Sequence, residues 1–164
     1  MPDISPALVY ALGACILSVV LEGVFAGSGI KKRLAELRAP SFAPPLWGWI
    51  AIGIFYYVIC FLVLYRLLSL PGASPLRLWA LALTGAVMFI NALWNYFFFR
   101  TRNLFHAFLV GIPYTLLAVI LFFVLLELDR TAAWMLLPYM VYLFYAGAFG
   151  YHVWRLNPSV VTPP

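Results

Sequence analysis

Residues 39–65 read APSFAPPLWGWIAIGIFYYVICFLVLY and contain no charged side chain. A helix that spans a lipid bilayer needs about 20 predominantly apolar residues, and this stretch is longer than that. Its helix is expected to begin near Pro44 and Pro45, because proline is tolerated in a first turn, where the backbone N–H has no helical partner. The stretch therefore predicts a membrane-spanning helix over residues 44–67.

Four other stretches have the same apolar character. They predict spanning helices over residues 6–29, 76–99, 104–126 and 132–155. Lipid offers no hydrogen-bond partner to the backbone, so helix is the expected conformation of each. The 164-residue chain is 66% hydrophobic and only 9% charged, whereas soluble domains have about 25% charged residues. The predicted fold is an all-α membrane protein, a single domain over residues 1–164 with five transmembrane helices.

The loops between the predicted spans are short, and the first of them carries the most charge. Leu34 and Leu37 are at helical spacing within it, which predicts a short amphipathic helix at the membrane interface. With five spans, the first loop, the third loop and the C-terminal end lie on one side of the membrane. That side carries Lys31, Lys32, Arg33, Arg38, Arg100, Arg102 and Arg155, and the opposite side carries Arg66, Arg77 and Arg130. The positive-inside rule then predicts an N-terminus outside and a cytoplasmic C-terminus. Basic residues placed in this way indicate contact with lipid headgroups, and the sequence has no nucleic-acid-binding motif.

Polar residues within the spans are candidates for function, because lipid makes them costly. Glu22 either faces a cavity and binds a cationic or polar group, or reaches the interface near Lys31, and the second interpretation is favoured. Asn91 and Asn95 are four residues apart on one helix face, with Trp94 beside it. This face suits a planar ligand with polar edges, but it equally suits hydrogen bonds between helices, and the residues alone favour the latter.

The histidines and cysteines give little indication of a metal or haem site. His106 and His152 are near span ends and could in principle ligate haem iron, although contact with headgroups is the more common role there. Cys15 and Cys60 have no metal-site spacing, so we expect small buried side chains. The sequence predicts no catalytic group and no metal site.

Four segments resemble one known family, and the first of them, residues 34–37, resembles its short amphipathic loop helix. Residues 39–47 (APSFAPPLW) resemble the Pro-Ser-(Trp/Phe)-x-Pro-Pro-x-Trp signature of the translocator protein family, also called TspO or tryptophan-rich sensory proteins. Residues 91–99 (NALWNYFFF) resemble the third-helix motif of that family, and residues 134–157 resemble its fifth helix. The resemblance covers almost the whole chain. It implies a five-helix bundle, usually a homodimer, with a pocket inside each protomer that the first loop closes.

The resemblance also implies a ligand and a site. Family members bind porphyrins, so protoporphyrin IX, haem or a similar planar hydrophobic molecule is the implied ligand, and no other cofactor is required. A membrane sensor or carrier linked to tetrapyrrole or pigment metabolism is the implied function, with an oxygen- and light-dependent porphyrin-degrading enzyme or a lipid or tetrapyrrole transporter as alternatives. The implied ligand-binding residues are Trp49, Gly53, Tyr57, Asn91, Trp94, Asn95, Tyr142, Tyr145 and Ala146. The implied lid is formed by Pro40, Ser41, Phe42, Pro44 and Pro45.

The chain departs from the family at several pocket positions. Gly53 and Tyr142 stand where the family commonly has tryptophan, Val110 stands for an acidic residue, and Phe149-Gly150 stands for a Leu-Asn pair. These differences weigh against porphyrin degradation. A proposed sterol-binding pattern is incomplete, which favours a bacterial inner membrane over a mitochondrial outer membrane.

Overall fold

The computed structural model describes residues 5–72 and 74–158. Five of its helices are long and apolar enough to cross a membrane, and a short helix precedes the second of them. The helices are α1 (Pro6–Ala26), α2 (Ile30–Glu36), α3 (Leu46–Ser69), α4 (Pro75–Asn95), α5 (Leu104–Leu128) and α6 (Arg130–Leu156), and a π-helical segment, Tyr96–Arg100, continues α4. The predicted five-helix bundle with a short helix in the first loop is confirmed.

The first span ends earlier than its hydropathy predicts. α1 stops at Ala26 rather than at residue 29, because Gly27 has a φ of +70° and Gly29 a φ of +98°. These are left-handed conformations that glycine adopts without steric cost. The two glycines turn the chain so that α2 begins directly at Ile30.

Side chains at the loop ends fix where two of the later spans begin. Ser74 accepts a hydrogen bond from the N–H of Arg77 at 3.1 Å at the start of α4, and Asn103 accepts one from the N–H of His106 at 3.0 Å at the start of α5. The first turn of a helix has N–H groups without helical partners, and such caps satisfy them.

The π-helical segment changes the end of the third span. The N–H of Thr101 donates to the carbonyl of Tyr96 at 3.0 Å, which closes a wider turn than an α-helix has. Phe98 is turned into the protein, where it is 2% exposed, and its ring stacks on Trp94 with centroids 4.6 Å apart. The motif over residues 91–99 therefore places two aromatic rings on one inner face.

The helices pack into two buried clusters. α5 lies along α4 and α6, and α1 lies against α3 and α4. A large cluster includes Val63, Leu67 and Leu121, and a smaller one beneath α2 includes Phe98 and Phe149. Many apolar side chains face outward, as they must in a bilayer: Val9, Ile16, Leu17, Val20, Val24, Trp47, Trp79 and Trp134 are all at least half exposed.

Polar contacts confirm which loops share an end of the bundle. At one end Arg66, in the last turn of α3, pairs with Asp129 between α5 and α6 at 2.7 Å. At the other end Glu36 of α2 accepts a hydrogen bond from Arg102 of the loop before α5 at 3.4 Å. The predicted grouping of the loops is therefore found, while the side that faces the cytoplasm stays a prediction.

Asp129 joins three elements at its end of the bundle. Its carboxylate accepts hydrogen bonds from Arg66 at 2.7 and 3.0 Å and from the N–H groups of Thr131 and Ala132, which begin α6. Burial by itself raises the pKa of Asp129, but the hydrogen bonds from Arg66 and Ala132 outweigh it and hold the pKa below its ordinary value.

We predict that Asp129→Ala lowers the free energy of unfolding in detergent by about 1 kcal/mol, because α6 loses its cap. Asp129→Asn keeps a capping side chain and loses only the charge, so its loss should be smaller. Thermal unfolding of both variants measures this difference. Equal midpoints for wild type and Asp129→Ala would contradict the role.

The ion pair of Arg66 with Asp129 predicts that the stability of the fold depends on pH. The lowered pKa of folded Asp129 stabilises the fold above the ordinary carboxyl value of about 3.9, and this contribution is lost as the pH falls through the folded-state pKa. The difference in thermal midpoint between wild type and Asp129→Asn should therefore be present at about pH 6 and shrink toward about pH 3. A constant difference would show that the charge of Asp129 is not its source.

Candidate functional site

A cavity of about 320 Å³ lies inside the bundle, and we call it the inner cavity. Residues of α2, of the π-helical segment and of all five spanning helices line it. Both buried clusters contribute to its wall, for example through Tyr139 and Phe149. Its lining is mostly apolar, with a small number of polar groups, as is usual for a small-molecule site.

Most of the ligand-binding residues predicted from the sequence lie in this wall. The inner cavity is lined by Trp49, Gly53, Asn91, Trp94, Asn95, Tyr142 and Ala146. Tyr57 and Tyr145 are placed elsewhere. The hydroxyl of Tyr57 donates to Glu22 at 2.6 Å, and that of Tyr145 donates to the carbonyl of Phe42 at 3.0 Å. Tyr57 thus supports a wall residue, and Tyr145 holds the first loop.

The part of the first loop that lines the inner cavity is α2, not the proline-rich segment. Ile30 and Leu34 of α2 face the inner cavity, whereas none of Pro40, Ser41, Phe42, Pro44 and Pro45 lines it. The segment folds back over the first turn of α3 instead. Pro44 lies so close to Gly48 that a Cβ at that glycine would be 2.8 Å from the Cβ of Pro44.

Two polar contacts hold α2 over the cavity. Arg33 is 3% exposed and donates to the carbonyl of Arg102 at 3.3 Å, so it is a structural residue as well as a basic one. Burial and the charge of Arg102 lower the pKa of Arg33. The side-chain amide of Asn157, just after α6, makes two hydrogen bonds to the backbone of Arg38. Its Oδ1 accepts from the N–H of Arg38 and its Nδ2 donates to the carbonyl, each at 2.9 Å.

A second cavity of about 330 Å³, the outer cavity, lies between α2, the proline-rich segment and the ends of α3 and α6. Lys31 is its charged lining residue. The two cavities share the wall residues Leu34, Leu46, Trp49 and Phe149. The rings of Trp49 and Phe149 meet edge to face with centroids 4.8 Å apart, so this aromatic pair separates the two spaces.

Glu22 lies in the wall of the inner cavity, so the favoured expectation that it reaches the interface near Lys31 is wrong. One of its carboxylate oxygens, Oε1, accepts hydrogen bonds from the hydroxyl of Tyr57 at 2.6 Å and from the side-chain amide of Asn91. The packing of α1 against α3 and α4 turns this face of α1 inward.

The contacts of Glu22 extend into a longer network. The hydroxyl of Tyr114 donates to Oδ1 of Asn91 at 3.3 Å, and the hydroxyls of Tyr114 and Tyr139 are hydrogen-bonded to each other. We call Glu22, Tyr57, Asn91, Tyr114 and Tyr139 the polar network. It takes one residue from each of the five spanning helices. Sequence reasoning identified Asn91 but missed both Tyr114 and Tyr139.

Two polar residues next to the polar network, Asn95 and Tyr56, make no hydrogen bond to its side chains. Asn95 donates to the backbone carbonyl of Asn91 at 3.0 Å, a contact within its own helix. The hydroxyl of Tyr56 is buried in the cavity wall and has no hydrogen-bond partner among the residues that the structure describes. The Cys60 thiol, one turn along α3, is a weak acceptor.

The histidines lie outside the inner cavity. His106 stacks on Phe97 with centroids 5.5 Å apart, and Nδ1 of His152 is 2.8 Å from the carbonyl oxygen of Ala148. Within residues 5–72 and 74–158 no group of three His, Cys, Asp or Glu side chains could hold a metal ion. Both cysteines are buried and free, as predicted.

Comparisons with known proteins extend over nearly the whole chain. A sequence model of the TspO/MBR family matches residues 11–155. Protein CrtK of Rhodobacter capsulatus is 28% identical over 124 residues, which cover 76% of this chain and 78% of CrtK. The tryptophan-rich protein TspO of Archaeoglobus fulgidus is 31% identical over 151 residues, covering 89% of this chain and 96% of that protein.

We predict that Asn91→Leu lowers the free energy of unfolding by about 1–3 kcal/mol, because it leaves Glu22 and Tyr114 each without one hydrogen-bond partner. Asn95→Leu is the matched control, since it removes only a contact within α4, and its effect should stay within about 0.5 kcal/mol. Thermal unfolding in one detergent compares the two. Equal losses would show that the contacts of Asn91 with other helices do not stabilise the bundle.

Proposed function

This chain belongs to the TspO/MBR family, and from that premise we propose that it is a membrane sensor or carrier whose inner cavity binds a porphyrin, such as protoporphyrin IX or haem, or a similar planar hydrophobic ligand. The observation that carries the proposal is an apolar cavity that has flat aromatic side chains in its wall and few polar groups. Five apolar helices and the family make the protein an integral membrane protein.

The aromatic side chains of the wall suit a flat ligand. Trp94 and Phe98 are stacked on each other at an interplanar angle of 19°, so Phe98 supports the ring of Trp94, and both side chains line the cavity. Trp49 lies elsewhere in the same wall. Offset stacking of aromatic rings contributes about 0.5–1.5 kcal/mol beyond the burial of their surface.

The volume of the site supports a ligand that extends beyond the inner cavity. The inner cavity, at about 320 Å³, is at the lower end of the range of about 300–1,000 Å³ for small-molecule sites. The outer cavity adds about 330 Å³ behind the shared wall of Trp49 and Phe149. A tetrapyrrole would use both spaces if this pair moves aside, with its acidic groups toward Lys31.

Binding without turnover is the form of the function that we favour. Gly53 and Tyr142 line the inner cavity at the positions where the family commonly has tryptophan. This chain lacks both of those indoles, so it would not degrade porphyrin if the reaction depends on them. We further propose a homodimer in a bacterial inner membrane, with the C-terminus in the cytoplasm, where ligand binding regulates tetrapyrrole or pigment metabolism.

We predict saturable binding of protoporphyrin IX to the purified protein in nanodiscs, followed by the porphyrin absorption band. Trp94→Leu should weaken the affinity by about 2- to 10-fold, because it removes one stacking partner. Trp79→Leu is the control, since Trp79 is 66% exposed and lies outside the cavity wall. Equal affinities for all three proteins would remove Trp94 from the site, and no saturable binding would overturn the proposal.

We also predict that bound porphyrin persists under light and air. An absorbance time course of protoporphyrin IX with the protein should decay no faster than with empty nanodiscs, whether oxygen is present or not. Decay that is accelerated by the protein and needs oxygen would instead favour the enzyme alternative.

A further inference from the structure

We infer that Glu22 makes the inner cavity selective for ligands that present an N–H group to it. The inference rests on the proposed function, because it describes which ligand the same cavity prefers. It adds a group that neither the signature motifs nor the pocket tryptophans include. The argument depends on the contacts of the two carboxylate oxygens of Glu22.

In the part of the chain that the structure describes, hydrogen bonds to Glu22 use one of its two carboxylate oxygens. Tyr57 and Asn91 both donate to Oε1, and across the described ranges 5–72 and 74–158 no side chain or backbone group donates to Oε2. Because Glu22 lines the inner cavity, a free acceptor is left at the wall of an otherwise apolar space.

Among the described residues, no basic side chain forms a salt bridge with Glu22. The two salt bridges found in the part of the chain that the structure describes join Arg66 to Asp129 and Arg102 to Glu36, and neither involves Glu22. A carboxylate inside a membrane is costly unless it is paired or hydrogen-bonded. A ligand N–H that donates to Oε2 would supply the missing interaction, whereas a purely apolar ligand would bury the oxygen unpaired.

Two kinds of ligand carry this chemistry on a flat apolar body. A metal-free porphyrin has pyrrole N–H groups at the centre of its ring. They lie in the plane of a flat ring and reach an acceptor above its face only when the ring is distorted out of plane, and a metal ion replaces them. An aromatic amine carries an ammonium group whose charge complements that of the carboxylate. The ammonium group would donate to Oε2 directly, and a distorted porphyrin would donate to it through a pyrrole N–H. A hydrogen bond to a charged group is stronger than one between neutral groups.

The testing variant is Glu22→Gln. Glutamine has the same shape and keeps an amide oxygen for Tyr57 and Asn91, but it replaces the free acceptor by an N–H₂ donor. Glu127→Gln is the matched control, because Glu127 is exposed near the opposite end of the bundle, at the end of α5, and lies outside both cavity walls. Thermal unfolding of both variants verifies that they are folded.

The experiment compares affinities within two pairs of probes. The first pair is metal-free protoporphyrin IX and its nickel(II) complex, in which a square-planar metal occupies the ring nitrogens. The second pair is naphthylmethylamine and ethylnaphthalene, which have similar apolar bodies. We expect wild type and Glu127→Gln to prefer the N–H-bearing member of at least one pair by about tenfold or more. Glu22→Gln should lose this preference by weakening only that member.

The outcomes separate this inference from the proposed function. Selectivity in the porphyrin pair identifies the pyrrole N–H as the partner of Glu22, and selectivity in the naphthyl pair identifies an ammonium group. Saturable binding of both porphyrins with affinities that Glu22→Gln leaves unchanged, and no selectivity in the naphthyl pair, would overturn the inference while the proposed function stands. Failure of both porphyrins to bind any of the folded proteins would overturn the proposed function instead.

Discussion

The hydrogen bonds that Glu22 and Asn91 make inside the bundle are the interaction on which the arrangement of the site depends. Lipid is as apolar as the helix surfaces, so burial of apolar side chains gives little reason for these helices to associate in one particular way. A polar group in the membrane is costly when unpaired, and the polar network pairs one residue from every spanning helix. The network therefore favours the packing in which its five members meet.

The polar network and the wall of the inner cavity share residues. Glu22, Asn91, Tyr114 and Tyr139 all line the cavity, and the hydrogen bonds of the polar network join them. The π-helical segment next to the network turns Phe98 inward beside Trp94. α2 then covers this end of the space and is held by Arg33 and Asn157. A largely apolar compartment with a few polar contacts at its boundary results.

The sequence predicted the spans because each depends on its own hydropathy, and it placed most wall residues through the resemblance to the family. It misjudged Glu22 because α1 is apolar on all sides, so nothing in its pattern indicates which face turns inward. Tyr114 and Tyr139 were missed because tyrosine in a span is typical of interfaces. The lid was predicted in the proline-rich segment of the first loop. In the structure α2 of that loop lines the inner cavity, while Pro44 lines the outer cavity and packs on Gly48 at the start of α3.

The aromatic pair Trp49 and Phe149 bears on how fast a bound molecule could leave the inner cavity, which is a different property from how tightly it binds. These rings stand between the inner and outer cavities, so a ligand that leaves the inner cavity by this route has to displace them against close packing. If a ligand binds as proposed, the rings would be a kinetic barrier on this route, whereas Glu22 and Trp94 would contribute to the equilibrium affinity. Slow release can accompany a modest equilibrium constant, and if the protein is a sensor as proposed, its response would then reflect past as well as present ligand concentration.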